Sequence, residues 1–382
     1  MKLETIMVQG GKKDDSGMAA VNYPIYLSST FCQPDTETQA EFCYSRGANP
    51  TRAAVEKQAA DIEGAEYALA TVSGMAATSI VFELVNKGEK VLINNNVYGG
   101  TWRFVSNLFE HRGIEYEVVN DFNTYDFDKA GDNCKMVFIE TPSNPLLEIT
   151  DIKTVAQAAK AKGMLVVVDN TFMTAYLQRP LELGADIVEY SATKYYVGHS
   201  DILAGLIVTN DKDLYERMKF INNTLGGILP PFDSFLLSRG MKTLAVRMDR
   251  HQENAMKVAE FLEGHEAASK VFYPGLKGHR NHDIQMAQAK GGGAVISFRF
   301  NEAAYDMKVF VNELKVFAFA VSLGGVESLI CRPATMTHES YSKELQDEIG
   351  ITGDLLRLSI GIEAAEDLIE DLSQAFEKAK RA

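Results

Sequence analysis

Between residues 65 and 210, short apolar runs recur with amphipathic stretches between them. Tyr67 to Thr71, Lys90 to Ile93, Lys135 to Ile139, Leu165 to Val168, Ile187 to Ser191 and Leu203 to Val208 are each nearly continuous in apolar residues. That is the pattern of strands covered on both faces. The stretches between them carry helix starts, such as Thr150-Asp151 ahead of Ile152 to Lys162. Strand runs alternating with helical patterns predict βαβ units and an α/β fold with a mostly parallel sheet.

After residue 240 the pattern changes. A helical stretch, Thr243 to Leu262, precedes strand-like runs at Ala294 to Phe300, Val316 to Ala320 and Leu355 to Ile360, and then a closing acidic helix. This predicts a smaller α+β unit at the C-terminal end. The first 45 or so residues contain Pro24, Pro34 and the polar stretch Asp35 to Glu41 and sustain neither period, which predicts an extended arm. The expected division is an arm over 1–47, a large domain over 48–245 and a small domain over 246–382. A chain of 382 residues is long enough for two cores.

Composition narrows the partners. Fifty-two acidic against 38 basic residues leave a formal charge of −14, which repels nucleic-acid phosphates and anionic lipid. Nowhere do about 18 apolar residues run together, so no membrane-spanning helix is expected. The stretch Met1 to Gly17 lacks the apolar core of a secretion signal, and its Lys12, Lys13, Asp14 and Asp15 do not suit a transit peptide. Cys32, Cys43, Cys134 and Cys331 are scattered, as free thiols of a reducing compartment would be. A cytoplasmic location is the expectation.

The residues that carry chemistry fall just past the ends of the apolar runs, where an open α/β sheet gathers ligands. In Glu189-Tyr190-Ser191-Ala192-Thr193-Lys194 a lysine follows a buried strand together with two hydroxyls. A lysine in a partly dry site has a lowered pKa and can condense with an aldehyde, while Ser191 and Thr193 can donate to a phosphate. Leu165 to Val168 ends in Asp169, and a buried aspartate is what keeps the ring nitrogen of pyridoxal phosphate protonated. Ser73-Gly74-Met75-Ala76-Ala77 opens a helix whose free N–H groups can cradle a phosphate. Tyr98-Gly99-Gly100-Thr101 offers a ring that can stack on a planar group and relay a proton. Singly, these residues read as a surface loop lysine, a helix-capping aspartate, a glycine turn and a core tyrosine. Together, at the ends of successive strands, they converge on one small-molecule site, in either a phosphate-bearing cofactor enzyme or a simple binding module. His279 and His282 have polar flanks and no cysteine beside them and predict a solvated loop, so no metal is expected.

Further motifs accompany these: Tyr44-Ser45-Arg46 with Asn49-Pro50-Thr51, Glu140-Thr141-Pro142-Ser143-Asn144-Pro145, Asp169-Asn170-Thr171-Phe172 and Leu356-Arg357-Leu358-Ser359. In this order, along nearly the whole chain, they resemble the trans-sulfuration family of pyridoxal-phosphate enzymes, which comprises cystathionine γ-lyase, cystathionine β-lyase, methionine γ-lyase and cystathionine γ-synthase. The resemblance implies fold type I, with Lys194 as the Schiff-base lysine, Asp169 on the pyridine nitrogen and Tyr98 on the ring. It implies Gly74, Met75, Ser191 and Thr193 as the phosphate site, with Tyr44 and Arg46 reaching the phosphate of a neighbouring subunit in a homotetramer of active dimers. Arg357 would clamp the substrate carboxylate with help from Asn144 and Ser322.

The implied reaction is α,γ-elimination of cystathionine, methionine or homocysteine to a thiol, ammonia and 2-oxobutanoate, with β-elimination of cysteine beside it. The alternatives are γ-replacement on an O-acylhomoserine, as in cystathionine γ-synthase, and a non-catalytic pyridoxal-phosphate-binding regulator. Cys43 and Val321 stand where cystathionine-handling relatives typically carry acids, which favours smaller or more apolar thioethers. Gly100, where methionine γ-lyases typically have cysteine, and Arg103 point back toward cystathionine.

Overall fold

A computed structural model describes residues 1–11 and 18–381. The Lys12-Lys13-Asp14-Asp15 charge cluster lies outside the described residues.

The large sheet contains β1 (Tyr67–Thr71), β2 (Lys90–Asn94), β3 (Glu115–Val119), β4 (Cys134–Glu140), β5 (Leu165–Asp169), β6 (Ile187–Tyr190) and β7 (Gly205–Thr209). Their order is β1-β7-β6-β5-β4-β2-β3. Pairing is parallel from β3 through β2, β4 and β5 to β6, whereas β7 runs antiparallel to both β6 and β1. The chain order reverses between β2 and β4, which opens a crevice at the carboxyl ends of the strands.

Side chains alternate across this sheet with the two-residue period of a strand. Val166 and Val168 join one hydrophobic cluster and Val167 the other, on the opposite face, and all three are fully buried. Burying such a side chain contributes roughly 1.5–3 kcal/mol, so these strands need to be apolar at every position. The edge strand β3 lacks that signature because Glu115 and Tyr116 face solvent.

The second sheet contains β8 (Ala268–Phe272), β9 (Val295–Phe300), β10 (Ala318–Phe319), β11 (Leu329–Cys331) and β12 (Leu355–Ser359), in the order β10-β11-β12-β9-β8. Only the β10–β11 pair is parallel. The 20-residue helix Leu244–Glu263 and the closing helix Ala365–Ala379 pack beside it. Among the described residues, no helix is long and apolar enough to cross a membrane.

Two local expectations change. The arm is irregular over residues 18–49, but its start forms a helix, α1 (Leu3–Gln9). Leu3, Ile6 and Met7 share one helical face there, and Met7 is fully buried. The loop carrying His279 and His282 is solvated in part, with Lys277, Gly278, Arg280 and Asp283 exposed, but the two histidines themselves are half-buried. It lines a cavity of about 290 Å³, and burial holds the His279 imidazole down at about 4.

A buried acid ties the helix α2 (Pro50–Glu63) to the end of β6. The Glu63 carboxylate accepts hydrogen bonds from the Tyr190 and Tyr196 hydroxyls, and Tyr190 in turn accepts from Asn170 at 3.0 Å. Removal from water outweighs these donors and pushes Glu63 from its ordinary 4.5 up to about 7. An acid whose pKa is raised by folding contributes stability that is fully present below 4.5 and lost as pH rises through about 7. Relative to Glu63→Gln, the parent should therefore lose up to roughly 3 kcal/mol between pH 4.5 and 8. Denaturant unfolding at both pH values checks this, and a gap that does not change with pH would show that Glu63 does not titrate there.

Candidate active site

Five strand ends and two loops of the smaller sheet enclose a cavity of about 500 Å³. Gly74, Met75, Tyr98, Arg103, Asn144, Asp169, Ser191, Thr193, Lys194, Val321, Ser322 and Arg357 all line it. After β1, Ser73 caps the helix α3 (Gly74–Phe82) by accepting from the Ala76 N–H at 3.1 Å. A Cβ on Gly74 would stand 2.7 Å from the Ser191 Cβ, so only glycine allows the helix start and the β6 end to close on each other. The Ser191 N–H is held by the Thr171 hydroxyl at 2.8 Å, and the Thr193 hydroxyl pairs with Ala204. These contacts hold the start of α3 and the Ser191 and Thr193 side chains on one rim of the cavity, where a helix N-terminus and hydroxyls can take a phosphate.

Lys194 lies in the turn after β6, with its Nζ 2.9 Å from the Ser322 Oγ. Desolvation, then the nearby Arg357 cation, lower its pKa from 10.5 to about 8. A useful fraction is therefore free amine near neutrality. Arg357 is buried at the centre of β12. Its Nη1 donates to Asn144 Oδ1 and its Nη2 to the Ser322 carbonyl, each at 2.9 Å, while its Nε has no partner among the described residues. Ser322, which touches both cations, has φ 95°, a costly conformation for a serine that concentrates at functional sites.

The opposite wall is acidic. Glu140 and Asp169, the last residues of β4 and β5, line it, and Glu189, next to last in β6, stands in register beside Asp169. Burial raises all three pKa values, and the Asp169 charge raises Glu140 and Glu189 further. Asp169 accepts from the Thr171 N–H at 2.9 Å and from its hydroxyl. An acid there, flanked by two more, suits a cationic ring N–H.

Glu140 belongs to a motif visible in the sequence, but its role was not. It accepts the Tyr98 N–H at 2.8 Å and so fixes the residue that opens the helix α4 (Gly99–Arg112). A Cβ on Gly100 would collide with the Tyr98 ring, which identifies Gly100 as the seat of that ring. Phe172, which stood in the Asp169-Asn170-Thr171-Phe172 motif without a role of its own, also lines the cavity, as do Leu203, Met336 and Thr337, which lie in no site motif of the sequence. Tyr44, Arg46 and Cys43 lie elsewhere, on an open surface beside Glu216, Lys219 and Asn223. There the Arg46 Nη1 donates to the Asn223 carbonyl at 2.9 Å.

A model of the Cys/Met metabolism PLP-dependent enzyme family matches residues 4–377. The chain is 48% identical to a cystathionine beta-lyase of Lactococcus lactis subsp. cremoris over 377 residues, 98% of this chain and 99% of that protein. It is 47% identical to a cystathionine gamma-lyase of Bacillus subtilis over 379 residues, 99% of this chain and 100% of the other. Among solved structures it matches a cystathionine gamma synthase of Xanthomonas oryzae pv. oryzae in complex with cystathionine, with a TM-score of 0.96 at 40% identity over 99% of this chain and 98% of that one. The chain belongs to the Cys/Met metabolism PLP-dependent enzyme family, its fold is fold type I and its cofactor is pyridoxal phosphate. The Gly74–Ser191 cradle, the Asp169 carboxylate and the depressed Lys194 amine all fit that cofactor.

The lowered pKa of Lys194 gives a direct test. A simple aldehyde trapped with borohydride on the cofactor-free protein should label Lys194 ahead of surface lysines, with labelling that rises as pH passes about 8. Peptide mass spectrometry reads the sites. Labelling that is even over all lysines, or that needs pH above about 10 at Lys194, contradicts the desolvated amine.

Proposed function

We propose that this member of the family is a carbon–sulfur lyase of sulfur amino acids. It would carry out α,γ-elimination of cystathionine, methionine or homocysteine to a thiol, ammonia and 2-oxobutanoate, with β-elimination of cysteine beside it. The observation that carries the reading is the Lys194–Ser322–Arg357 arrangement, in which one serine contacts both the amine and the guanidinium at 2.9 Å. An amino acid bound there by its carboxylate presents its α-carbon toward the amine.

Arg357 and Asn144 bind the α-carboxylate, a bidentate task suited to guanidinium. Ser322 orients the Lys194 Nζ, which takes the α-proton and returns it later. Asp169 holds the proton on the ring nitrogen of the cofactor, and Gly74, Met75, Ser191 and Thr193 hold its phosphate. Tyr98, whose backbone is fixed by Glu140, delivers a proton to the departing sulfur. Pyridoxal phosphate, when bound, supplies the electron sink that stabilises negative charge at the α-carbon.

Arg103 and Val321 stand at the mouth and meet the substrate side chain. Val321 is 57% exposed and offers no charge to a distal ammonium, as does Cys43 if a neighbouring subunit brings it to the mouth. That favours methionine and homocysteine over cystathionine. Tyr44 and Arg46 lie outside the cavity of their own chain, and we assign them to the phosphate of a neighbouring subunit in a homotetramer of active dimers, located in the cytoplasm. The division into an arm (1–47), a cofactor domain (48–245) and a small domain (246–382) follows the same layout. A second reading, γ-replacement on an O-acylhomoserine, draws on the likeness to the synthase and uses the same residues.

The deciding assay supplies methionine, homocysteine, cystathionine and an O-acylhomoserine with cysteine separately, and measures 2-oxobutanoate, pyruvate and thioether. We expect 2-oxobutanoate, fastest from methionine or homocysteine. Thioether formation without elimination favours the second reading. Lys194→Ala should lower turnover at least roughly a hundredfold, the scale of a positioned general base. Unchanged turnover would remove Lys194 from the chemistry.

A further inference from the structure

The helix Leu244–Glu263 turns a polar stripe toward the protein interior. Arg247, His251 and Asn254, spaced to share one helical face, are 4%, 0% and 1% exposed. Their donors go mainly to backbone carbonyls of two separate segments. Arg247 Nη1 donates to the Tyr195 carbonyl at 2.6 Å, and Nη2 donates to those of Tyr196 at 3.3 Å and Gly240 at 2.8 Å. Its Nε donates to the Thr243 hydroxyl at 3.1 Å. His251 Nδ1 donates to the Ile360 carbonyl at 2.6 Å. Asn254 Nδ2 donates to the carbonyls of Gly361 at 3.0 Å and Glu363 at 2.8 Å.

The first segment is the turn that carries Lys194. The second is the chain just past β12, which carries Arg357. Arg247 has no ion pair among the described residues, and burial alone lowers its pKa to about 10. A buried guanidinium without a counter-ion is costly, and an apolar residue would fill the same volume. What the guanidinium supplies is a rigid fork that fixes several carbonyls at once. Gly198 ends the same turn at φ 74°, and any side chain there would collide with the guanidinium. The imidazole of His251 packs edge-on against the Tyr195 ring at 5.3 Å, which links the two grips. The Gly198 carbonyl also accepts from the Val326 N–H at 3.0 Å, so the Ser322 loop is tied to the same turn.

We propose that Arg247, His251 and Asn254 are positioning residues, through which one helix sets the Lys194 turn and the Arg357 strand end at the separation an α-amino acid requires. The inference rests on the reading of Lys194 and Arg357 given above. It differs from a purely stabilising role in a specific way. Releasing the Lys194 turn should harm the chemical step and cofactor attachment, whereas releasing the Arg357 end should harm amino-acid binding.

The experiment uses the holoenzyme and the variants Arg247→Met, Arg247→Lys, Asn254→Leu and Lys194→Ala. For Arg247→Met we expect kcat to fall about tenfold or more and cofactor to dissociate faster, with KM within about twofold, and for Arg247→Lys to recover part of the loss. For Asn254→Leu we expect KM to rise about tenfold with kcat and cofactor retention nearly unchanged, the scale of one or two buried hydrogen bonds. Aldehyde labelling of Lys194 in the cofactor-free protein should weaken in the Arg247 variants only. Should Arg247→Met not fold, Arg247→Lys and Asn254→Leu still give the split. Variants that lower only the thermal midpoint, or that change kcat and KM alike, overturn the proposal while Lys194→Ala stays inactive. Turnover by Lys194→Ala at the parent's rate would instead overturn the reading of the site itself.

Discussion

Glu140, Asp169 and Glu189 stand side by side where three parallel strands end, and among the described residues no cation is hydrogen-bonded to any of them. Like charges this close, out of water, cannot all ionise. Burial pushes each toward its neutral form. Glu140 and Glu189 are pushed well above the ordinary carboxylate range, whereas Asp169 keeps two donors from Thr171, its N–H and its hydroxyl, so the negative charge that survives is best stabilised there. A sheet edge arranged in this way favours a ligand that brings its own proton and positive charge to Asp169, and a protonated pyridine nitrogen does so.

The cations occupy the other side of the cavity and are equally short of partners. Arg357 donates to an amide oxygen and a carbonyl, with no carboxylate bonded to it among the described residues, and its charge helps lower the Lys194 pKa to about 8. The field therefore runs from the β12 wall to the ends of β4–β6. An amino acid carboxylate is drawn to one wall and a cationic ring to the other, with the Lys194 amine between them. Preorganised charge of this kind is a large term in catalysis because nothing must reorient during the reaction.

Much of this was legible in the sequence, and the exceptions have physical causes. β1 and β5 could be read nearly to the residue because strands buried on both faces must be apolar throughout. β3 escaped notice as a solvent-facing edge, and β8 and β11 as short or half-exposed strands. The antiparallel course of β7 depends on how the chain returns after Lys194, which hydrophobic periodicity does not encode. Among the site residues, those in motifs at strand ends were found. Glu140 was visible without its role, because accepting a backbone N–H from Tyr98 is a three-dimensional relation. Arg247 was invisible because a buried, unpaired arginine looks like any surface arginine on a helix.

The same distinction separates what is fixed in this site from what can vary. Asp169, Lys194 and Arg357 lie on strand ends or on a turn held by backbone hydrogen bonds, where a displacement would disturb the packed core. Tyr98, Leu203 and Val321 are 41%, 64% and 57% exposed at the mouth, where a change of side chain costs the fold little. In the proposed reaction the first group would remove the α-proton, Tyr98 would serve the leaving sulfur, and Leu203 and Val321 would bear on the choice of substrate side chain. Mutations at the mouth can therefore redirect the fate of a common carbanion without rebuilding the site that generates it. One scaffold, matched over nearly its full length, can thus serve proteins named as β-lyase, γ-lyase and γ-synthase.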